Sequence, residues 1–200
     1  MADLIEEFVE FINNDASLND GCILEFGTGG GHSTGRIAAG TTRTIHTYDG
    51  FSGLPKTEKG VPEGTGWVEG ALFFDEQKTR DYLAKYSHVN VYKCLTFDLK
   101  EPIEYGITKI SAVNIDVDLY EGTIDALRFA DKCEWDSLLI RFDDWGHYEG
   151  SQIKEQVDAH EKAAFYEWMA ETGYDAETSD DLNARSENHQ AIFKVTRNVR

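Results

Sequence analysis

The sequence predicts an α/β fold in which helices cover both faces of a mostly parallel β-sheet. Short apolar runs alternate with segments whose apolar residues recur at helical spacing, an order typical of strand–helix–strand units. The first apolar run ends in a glycine-rich turn that leads into a helix, as expected at the edge of such a sheet. Hydrophobic residues make up 40% of the 200 residues. The chain is therefore able to build a core, and we expect residues 1–200 to form a single domain.

Each element is predicted from its own local pattern. Residues 3–14 place apolar side chains at helical spacing, and residues 22–26 form a short apolar run that stops at a glycine. Further helices are predicted at 33–39, 75–86, 123–130 and 159–171, and Gly173 is expected to end the last of them. Further strands are predicted at 44–49, 89–93, 111–117, 137–142 and 190–196. Residues 53–70 carry glycines and prolines without a period, which indicates a long mobile loop. Residues 146–158 fit either a helix or a loop over a pocket.

The turn after the first predicted strand runs from Glu25 to Ser33 with the sequence EFGTGGGHS. Glycines at this point let a ligand approach the backbone, and the following helix offers free N–H groups. The dinucleotide pattern is incomplete, because its third glycine position is His32 in one frame and Thr34 in the other. Glu25 precedes the glycines, and a carboxylate there disfavours a pyrophosphate and suits a cationic ligand. The competing interpretation is a plain tight turn.

An acidic residue ends the second predicted strand. Asp49 follows the first glycine of the turn by about 20 residues, the usual place of a carboxylate that accepts ribose hydroxyls. A solvated Asp at a strand end is the alternative. Together with the glycine turn, Asp49 favours a site for a ribose-containing ligand.

Four carboxylates follow the fourth and fifth predicted strands. Asp116 and Asp118 are two residues apart, so their side chains are expected on the same side of their strand. Asp143 and Asp144 follow the next strand, which a crossover connection would place beside the first. So many like charges in one place require a cation to offset them. All-oxygen ligands select a hard divalent ion, with Mg²⁺ first and Mn²⁺ or Ca²⁺ as alternatives. The competing interpretation makes Asp144 a helix cap and leaves Asp118 facing water.

The charge of the chain limits its partners. Acidic side chains number 37 and basic ones 19, for a net charge of −18. This balance argues against a nucleic-acid backbone or an anionic membrane surface as the main partner. The sequence shows no signal peptide, no run near the ~18 apolar residues of a membrane span, and no zinc-type cysteine spacing. We expect a cytoplasmic protein, with the oligomeric state open and a homo-oligomer compatible with the sequence.

Four segments in this order carry a resemblance to a known family: LEFGTGGGHST, YDGFSGLP, IDVDLYEGTIDAL and FDDW. Over roughly residues 20–146 the chain resembles class I S-adenosylmethionine-dependent methyltransferases. It is most similar to the metal-dependent sugar O-methyltransferases of macrolide and aminocoumarin antibiotic pathways, the macrocin O-methyltransferase group, and catechol-type enzymes are a more distant match. The resemblance implies a Rossmann-like sheet of seven strands whose last strand is antiparallel.

The resemblance also implies roles for individual residues. The cofactor S-adenosylmethionine would be bound by Glu25, Gly27, Gly29, Ser33, Asp49, Thr96 and Phe97, with the Glu25 carboxylate near the methionine amino group. Asp116, Asp143 and Asp144 match the metal ligands, and Asp118 matches the proposed general base. The lysine base of catechol-type enzymes is replaced by Leu119. His147 is a second candidate base, for which a solvent-facing loop histidine is the competing interpretation.

The expected activity is transfer of a methyl group to a metal-bound hydroxyl of a small molecule in natural product biosynthesis. Coordination of two neighbouring hydroxyls would make a vicinal diol, such as a sugar, the natural acceptor. Trp67 and Trp145 are candidates to stack on such a ring, or else belong to the loop packing and the core. Two alternatives stay open. One is a dehydrogenase of similar topology, and the other is a non-catalytic module that binds a nucleotide or S-adenosylmethionine.

Overall fold

The computed structural model of the protein describes residues 4–18, 20–59, 66–145, 147–149, 152–154, 160–178 and 190–197. Its strands are β1 Cys22–Phe26, β2 Ile45–Asp49, β3 Val89–Lys93, β4 Ile110–Ile115, β5 Ser137–Phe142, β6 His147–Glu149, β7 Gln152–Lys154, β8 Asp175–Thr178 and β9 Ala191–Thr196. Its helices are α1 Ile5–Asn14, α2 His32–Gly40, α3 Glu76–Leu83, α4 Tyr120–Asp131 and α5 His160–Thr172, with short 3₁₀ helices at Thr96–Asp98 and Pro102–Tyr105. Within these ranges no helix combines the length and apolar composition that crossing a bilayer requires.

One seven-stranded sheet organises the fold, in the order β3-β2-β1-β4-β5-β9-β8. The first five strands in this order are parallel, and β9 runs antiparallel between β5 and β8. This arrangement confirms the mostly parallel sheet and its antiparallel last strand. Because β4 lies between β1 and β5, the residues that follow these three strands meet at one edge of the sheet.

Helices pack on both faces of the sheet, as expected from the apolar patterns. Neighbouring strand residues alternate between two cores: Ile23 packs with α1 and α2, whereas Leu24 packs with α4 and α5. The central strands β4 and β5 are buried along their whole length. Near-continuous apolar runs are typical of strands that are covered on both faces, and they explain why these strands were predictable.

The structure differs from the sequence-based prediction in two places. Strand β8 was not predicted, because its sequence DAET has no apolar run, and it is held at the sheet edge by antiparallel pairing with β9. In the stretch 146–158, β6 and β7 form an antiparallel pair, so the helical interpretation is wrong. The remaining residues of that stretch lie outside the described part. Gly173 ends α5 as predicted, with a positive φ of 67°.

Candidate cofactor and metal site

The carboxyl ends of the parallel strands open into a cavity of about 430 Å³. This volume is within the usual range for small-molecule sites. The residues that were predicted from the sequence and that line the cavity are Gly27, Gly29, Ser33, Asp49, Thr96, Asp116, Asp118, Asp143 and Asp144. The structure thus brings the glycine turn and the carboxylate cluster into one enclosure.

The glycine turn between β1 and α2 depends on the absence of side chains. Gly27, Gly29 and Gly31 all have positive φ, a conformation that other residues rarely adopt. A Cβ atom on Gly27 would lie 1.7 Å from the Asp116 carbonyl oxygen, so the turn packs directly against the end of β4. This close approach places the cofactor turn and the first predicted metal ligand side by side.

Glu25 lies beneath this turn and is completely buried. Its carboxylate accepts hydrogen bonds from Ser33 Oγ (2.8 Å), Thr47 Oγ1 (2.7 Å), Asn114 Nδ2 (3.1 Å) and the Thr34 hydroxyl. Burial raises the pKa of Glu25, and these hydrogen bonds oppose that shift. Glu25 does not line the cavity. Its oxygens accept hydrogen bonds within the protein that support the turn from below, and its predicted place beside the methionine amino group stays a prediction.

Asp49 joins the glycine turn to the loop after β2. Its Oδ2 accepts the Gly29 N–H at 2.8 Å, and its Oδ1 accepts the Phe51 N–H at 2.6 Å. Each carboxylate oxygen has a further lone pair, and the side chain lines the cavity. The geometry suits an acid that accepts ligand hydroxyls, which stays a prediction.

The two residues predicted to contact adenine have different environments in the structure. Thr96 lines the cavity, but Phe97 does not and is 61% exposed. Both belong to the short 3₁₀ helix Thr96–Asp98, in which consecutive side chains point in different directions. The contact of Thr96 and Phe97 with adenine stays a prediction.

The three predicted metal ligands converge. One carboxylate oxygen from each of Asp116, Asp143 and Asp144 lies within 4.8 Å of the others. The main chain sets this position, because the Asp116 N–H donates to Phe26 O (2.9 Å) and the Asp143 N–H donates to Ile115 O (3.0 Å). Burial and neighbouring carboxylates raise the pKa of Asp116 and of Asp144 well above the usual range. A set of oxygen ligands under mutual repulsion fits a hard divalent cation.

Asp118 stands beside this cluster without belonging to it. It is 8% exposed and has a positive φ of 61°, which turns the chain sharply after Val117. Burial, followed by the charges of Asp143 and Asp49, raises the pKa of Asp118 to about 7. Asp118 lines the cavity, and its role as a base next to a metal-bound group stays a prediction.

A buried polar network that the sequence did not reveal supports both halves of the site. Arg141 is completely buried and donates from Nη1 to Asn114 Oδ1 (2.6 Å) and from Nη2 to Asp143. Gln190 Nε2 donates to the same Asp143 oxygen at 2.8 Å. Since Asn114 also binds Glu25, one chain of hydrogen bonds links the glycine turn to the metal ligands. Asn114 and Arg141 lie within mostly apolar strands, and their only signal in the sequence is that each is a polar residue in an apolar run.

A fifth carboxylate was also missed. Glu161, in the first turn of α5, is completely buried, and its Oε2 accepts the Asp144 N–H at 2.8 Å. Burial and the nearby aspartates raise the pKa of Glu161 well above its usual range. Acidic residues are common in first helical turns, so nothing in the sequence singles this one out.

The remaining candidates have different outcomes. The backbone of His147 lies in β6, but its side chain lies outside the described part, so its role as a base stays a prediction. Trp145 packs against Phe193, with ring centroids 4.7 Å apart, which supports the core interpretation. Trp67 makes an edge contact with the His160 ring at 5.0 Å.

The loop after β2 lies over the cavity and is anchored at two points. Its two arms are joined by hydrogen bonds from the Leu54 N–H to Ala71 O (2.8 Å) and from the Gly70 N–H to Leu54 O (2.9 Å). Farther along, Glu121 at the start of α4 accepts hydrogen bonds from Thr57 Oγ1 and from the backbone N–H groups of residues 58 and 59. Apolar side chains of this loop complete the cavity wall: Leu54, Pro55, Leu72 and Phe74.

Comparisons with known proteins concern the whole fold. No protein-family model matches the chain, and a search of curated proteins finds no relative. Among solved structures, the chain is similar to the O-methyltransferase NovP, with a TM-score of 0.66 and 18% identity over 96% of this chain and 78% of that one. It is also similar to CalS11, a calicheamicin methyltransferase, with a TM-score of 0.64 and 16% identity over 96% and 76% of the two chains.

A third similar structure is the magnesium protoporphyrin IX methyltransferase of Synechocystis PCC 6803 with bound S-adenosylmethionine. The TM-score is 0.53 at 14% identity, over 97% of this chain and 78% of that one. Identities this low bear on the fold alone. Together with the strand order β3-β2-β1-β4-β5-β9-β8, they lead to one conclusion: the chain has the Rossmann-like fold of class I methyltransferases.

Proposed function

We propose that the protein is an S-adenosylmethionine-dependent O-methyltransferase, acting as a single domain on a hydroxyl of a small molecule held at a divalent metal ion. The observation that carries this proposal is one cavity lined by both the Gly27–Gly31 turn with Asp49 and the cluster of Asp116, Asp143 and Asp144. The similarity to NovP and to CalS11, an O-methyltransferase and a calicheamicin methyltransferase, supports the reaction class.

The cofactor end of the site would bind S-adenosylmethionine through backbone and carboxylate. The glycine turn leaves room for a ligand against the main chain, and Asp49 would accept the ribose hydroxyls while it holds Gly29 in place. Ser33 and Thr96 line the same region. Glu25 keeps the turn in shape through its buried hydrogen bonds.

The metal end would position and activate the acceptor. When bound, the cofactor supplies an electrophilic methyl group and the ion lowers the pKa of a hydroxyl that it coordinates. Asp116, Asp143 and Asp144 would hold Mg²⁺, with Mn²⁺ or Ca²⁺ as alternatives. Asp118 would accept the hydroxyl proton at a carboxylate oxygen, and the loop residues Leu54 and Phe74 would exclude water.

The acceptor class follows from charge and from the ligand set. A net charge of −18 and a cavity lined by carboxylates favour a neutral or cationic small molecule over a nucleic acid. An ion held by three protein oxygens has positions left for two neighbouring hydroxyls, so we propose a sugar or another vicinal diol.

Methyl transfer from labelled S-adenosylmethionine to a panel of sugar and catechol diols tests the proposal. We expect chelator to stop turnover and Mg²⁺ to restore it. Asp143→Asn should abolish turnover while affinity for S-adenosylhomocysteine stays nearly unchanged, and Asp118→Asn should slow turnover by about 10²–10⁴-fold with metal still bound. Asp98→Asn, which changes an exposed acid two residues after Thr96, is the matched control.

Three results would overturn this function. Full turnover in excess chelator would remove the metal from the mechanism and leave His147 as the next base to test. A thermal shift with a nicotinamide dinucleotide and none with S-adenosylmethionine would favour the dehydrogenase alternative. Cofactor binding without turnover on any acceptor would favour the non-catalytic module.

A further inference from the structure

We propose that Glu161 is a positioning residue of the metal site, which holds Asp144 with one carboxylate oxygen and supports the bound ion with the other. The second oxygen would act by accepting a hydrogen bond from a water molecule on the ion. This inference rests on the proposed metal dependence and assigns a role to a helix residue that lies 17 positions beyond Asp144 in the chain.

The two oxygens of Glu161 are in different situations. Oε2 accepts the Asp144 N–H at 2.8 Å, which fixes the carboxylate beside the predicted ligands. Oε1 is buried and has no hydrogen-bond partner within the part of the chain that the structure describes, and the side chain is 0% exposed. A buried carboxylate oxygen without a donor is costly, so a donor from outside the protein is expected there.

The charges around Glu161 point to a cation as the source of that donor. Glu161 contacts Asp144 through the Asp144 N–H, and the carboxylate oxygens of Asp116, Asp143 and Asp144 lie within 4.8 Å of one another. Arg141, the buried cation seen in contact with the cluster, donates to Asp143. A divalent ion with its waters would offset the repulsion among these carboxylates and supply polarised O–H groups.

The distances favour an indirect contact over direct ligation. The ligand oxygens that approach within 4.8 Å of one another come from Asp116, Asp143 and Asp144, and Glu161 is outside this group. Mg²⁺ keeps several waters when few carboxylates bind it, and residues that hold those waters and the ligands typically account for 10- to 100-fold in metal affinity.

Binding of Mn²⁺ alone, without cofactor or turnover, tests the role of Glu161. Free Mn²⁺ is measured by electron paramagnetic resonance for wild type, Glu161→Gln, Glu161→Asp and the control Glu167→Gln, which changes an exposed acid on the same helix. We expect Glu161→Gln to weaken Mn²⁺ binding by about 10- to 100-fold and Glu167→Gln to bind like wild type. Glu161→Asp keeps a carboxylate and should bind more tightly than Glu161→Gln.

Melting temperatures separate positioning from a structural role. Glutamine keeps an oxygen for the Asp144 N–H and removes a charge, so metal-free Glu161→Gln should melt no lower than wild type, while its Mn²⁺-induced shift shrinks. Wild-type affinity in Glu161→Gln, or tighter binding in Glu161→Gln than in Glu161→Asp, would overturn the inference and leave the proposed function intact. A metal-free melting temperature lowered in both variants would make Glu161 structural. Wild type that binds no Mn²⁺ would instead overturn the metal dependence itself.

Discussion

Replacing Asp49 with alanine should weaken binding of S-adenosylhomocysteine, a product that contains the same ribose. In the structure the Asp49 carboxylate lines the cavity and also holds Gly29 and Phe51 through their N–H groups, at 2.8 and 2.6 Å. A hydrogen bond to a charged group contributes about 1.5–3 kcal/mol. Loss of one such bond to the ligand corresponds to roughly a 10- to 150-fold increase in Kd. Loosening of Gly29 adds to the loss, so we expect the upper part of this range.

Isothermal titration calorimetry measures this Kd directly. Asp98→Ala is the matched control, because it removes an exposed negative charge two residues after the cavity-lining Thr96 and leaves the glycine turn untouched. The melting temperature of each ligand-free variant shows whether it is folded. An Asp49→Ala variant that is folded and binds S-adenosylhomocysteine like wild type would refute the assignment of Asp49 to the ribose.

Two further predictions concern the loop and the stability of the fold. Glu121→Ala removes the hydrogen-bond acceptor for Thr57 and its neighbours, which should cost about 1–2 kcal/mol of loop stability. Tryptic cleavage after Lys56 or Lys59 should therefore be roughly 5- to 30-fold faster than in wild type. In wild type, cofactor with Mg²⁺ should slow this cleavage. Equal cleavage with and without ligand would argue against a lid. Partial burial opposes ionisation of Asp15, but hydrogen bonds from Ser17 and Lys194 lower the pKa of Asp15 to about 2. The ionised form is therefore stabilising above the unfolded pKa of about 4, and this stabilisation is lost as the pH falls toward 2. Asp15→Asn should reduce the free energy of unfolding in urea by about 1–2 kcal/mol at pH 7 and by little near pH 2, and a pH-independent difference would contradict the assignment.

The local pattern of the sequence was sufficient to predict most elements of the fold. Strands β1, β4 and β5 are mostly apolar because both faces are covered, and the helices between them repeat apolar residues at helical spacing. Since parallel strands end at the same edge, Asp49, Asp116 and Asp143 could be expected to meet there from their positions after the strands.

Other features depended on contacts between distant parts of the chain. Strand β8 is polar and exists through backbone pairing with β9, for which its own side chains give no signal. Glu161 approaches Asp144 only because α5 packs beside α4 on one face of the sheet. Phe97 is next to Thr96 in the sequence, but the 3₁₀ helix leaves the Phe97 ring exposed, whereas Thr96 lines the cavity.

The difference between the features that the sequence predicts and those that it does not has a physical reason. Periodicity and strand ends are properties of neighbouring residues, so the sequence by itself determined the order of elements and the side chains placed at the edge of the sheet. Which buried polar groups share a hydrogen bond is decided by packing, and the links from Glu25 through Asn114 and Arg141 to Asp143 join residues on three different strands and the turn beyond them. Burial makes every unpaired polar atom costly, and only the tertiary structure shows which partner each one has found.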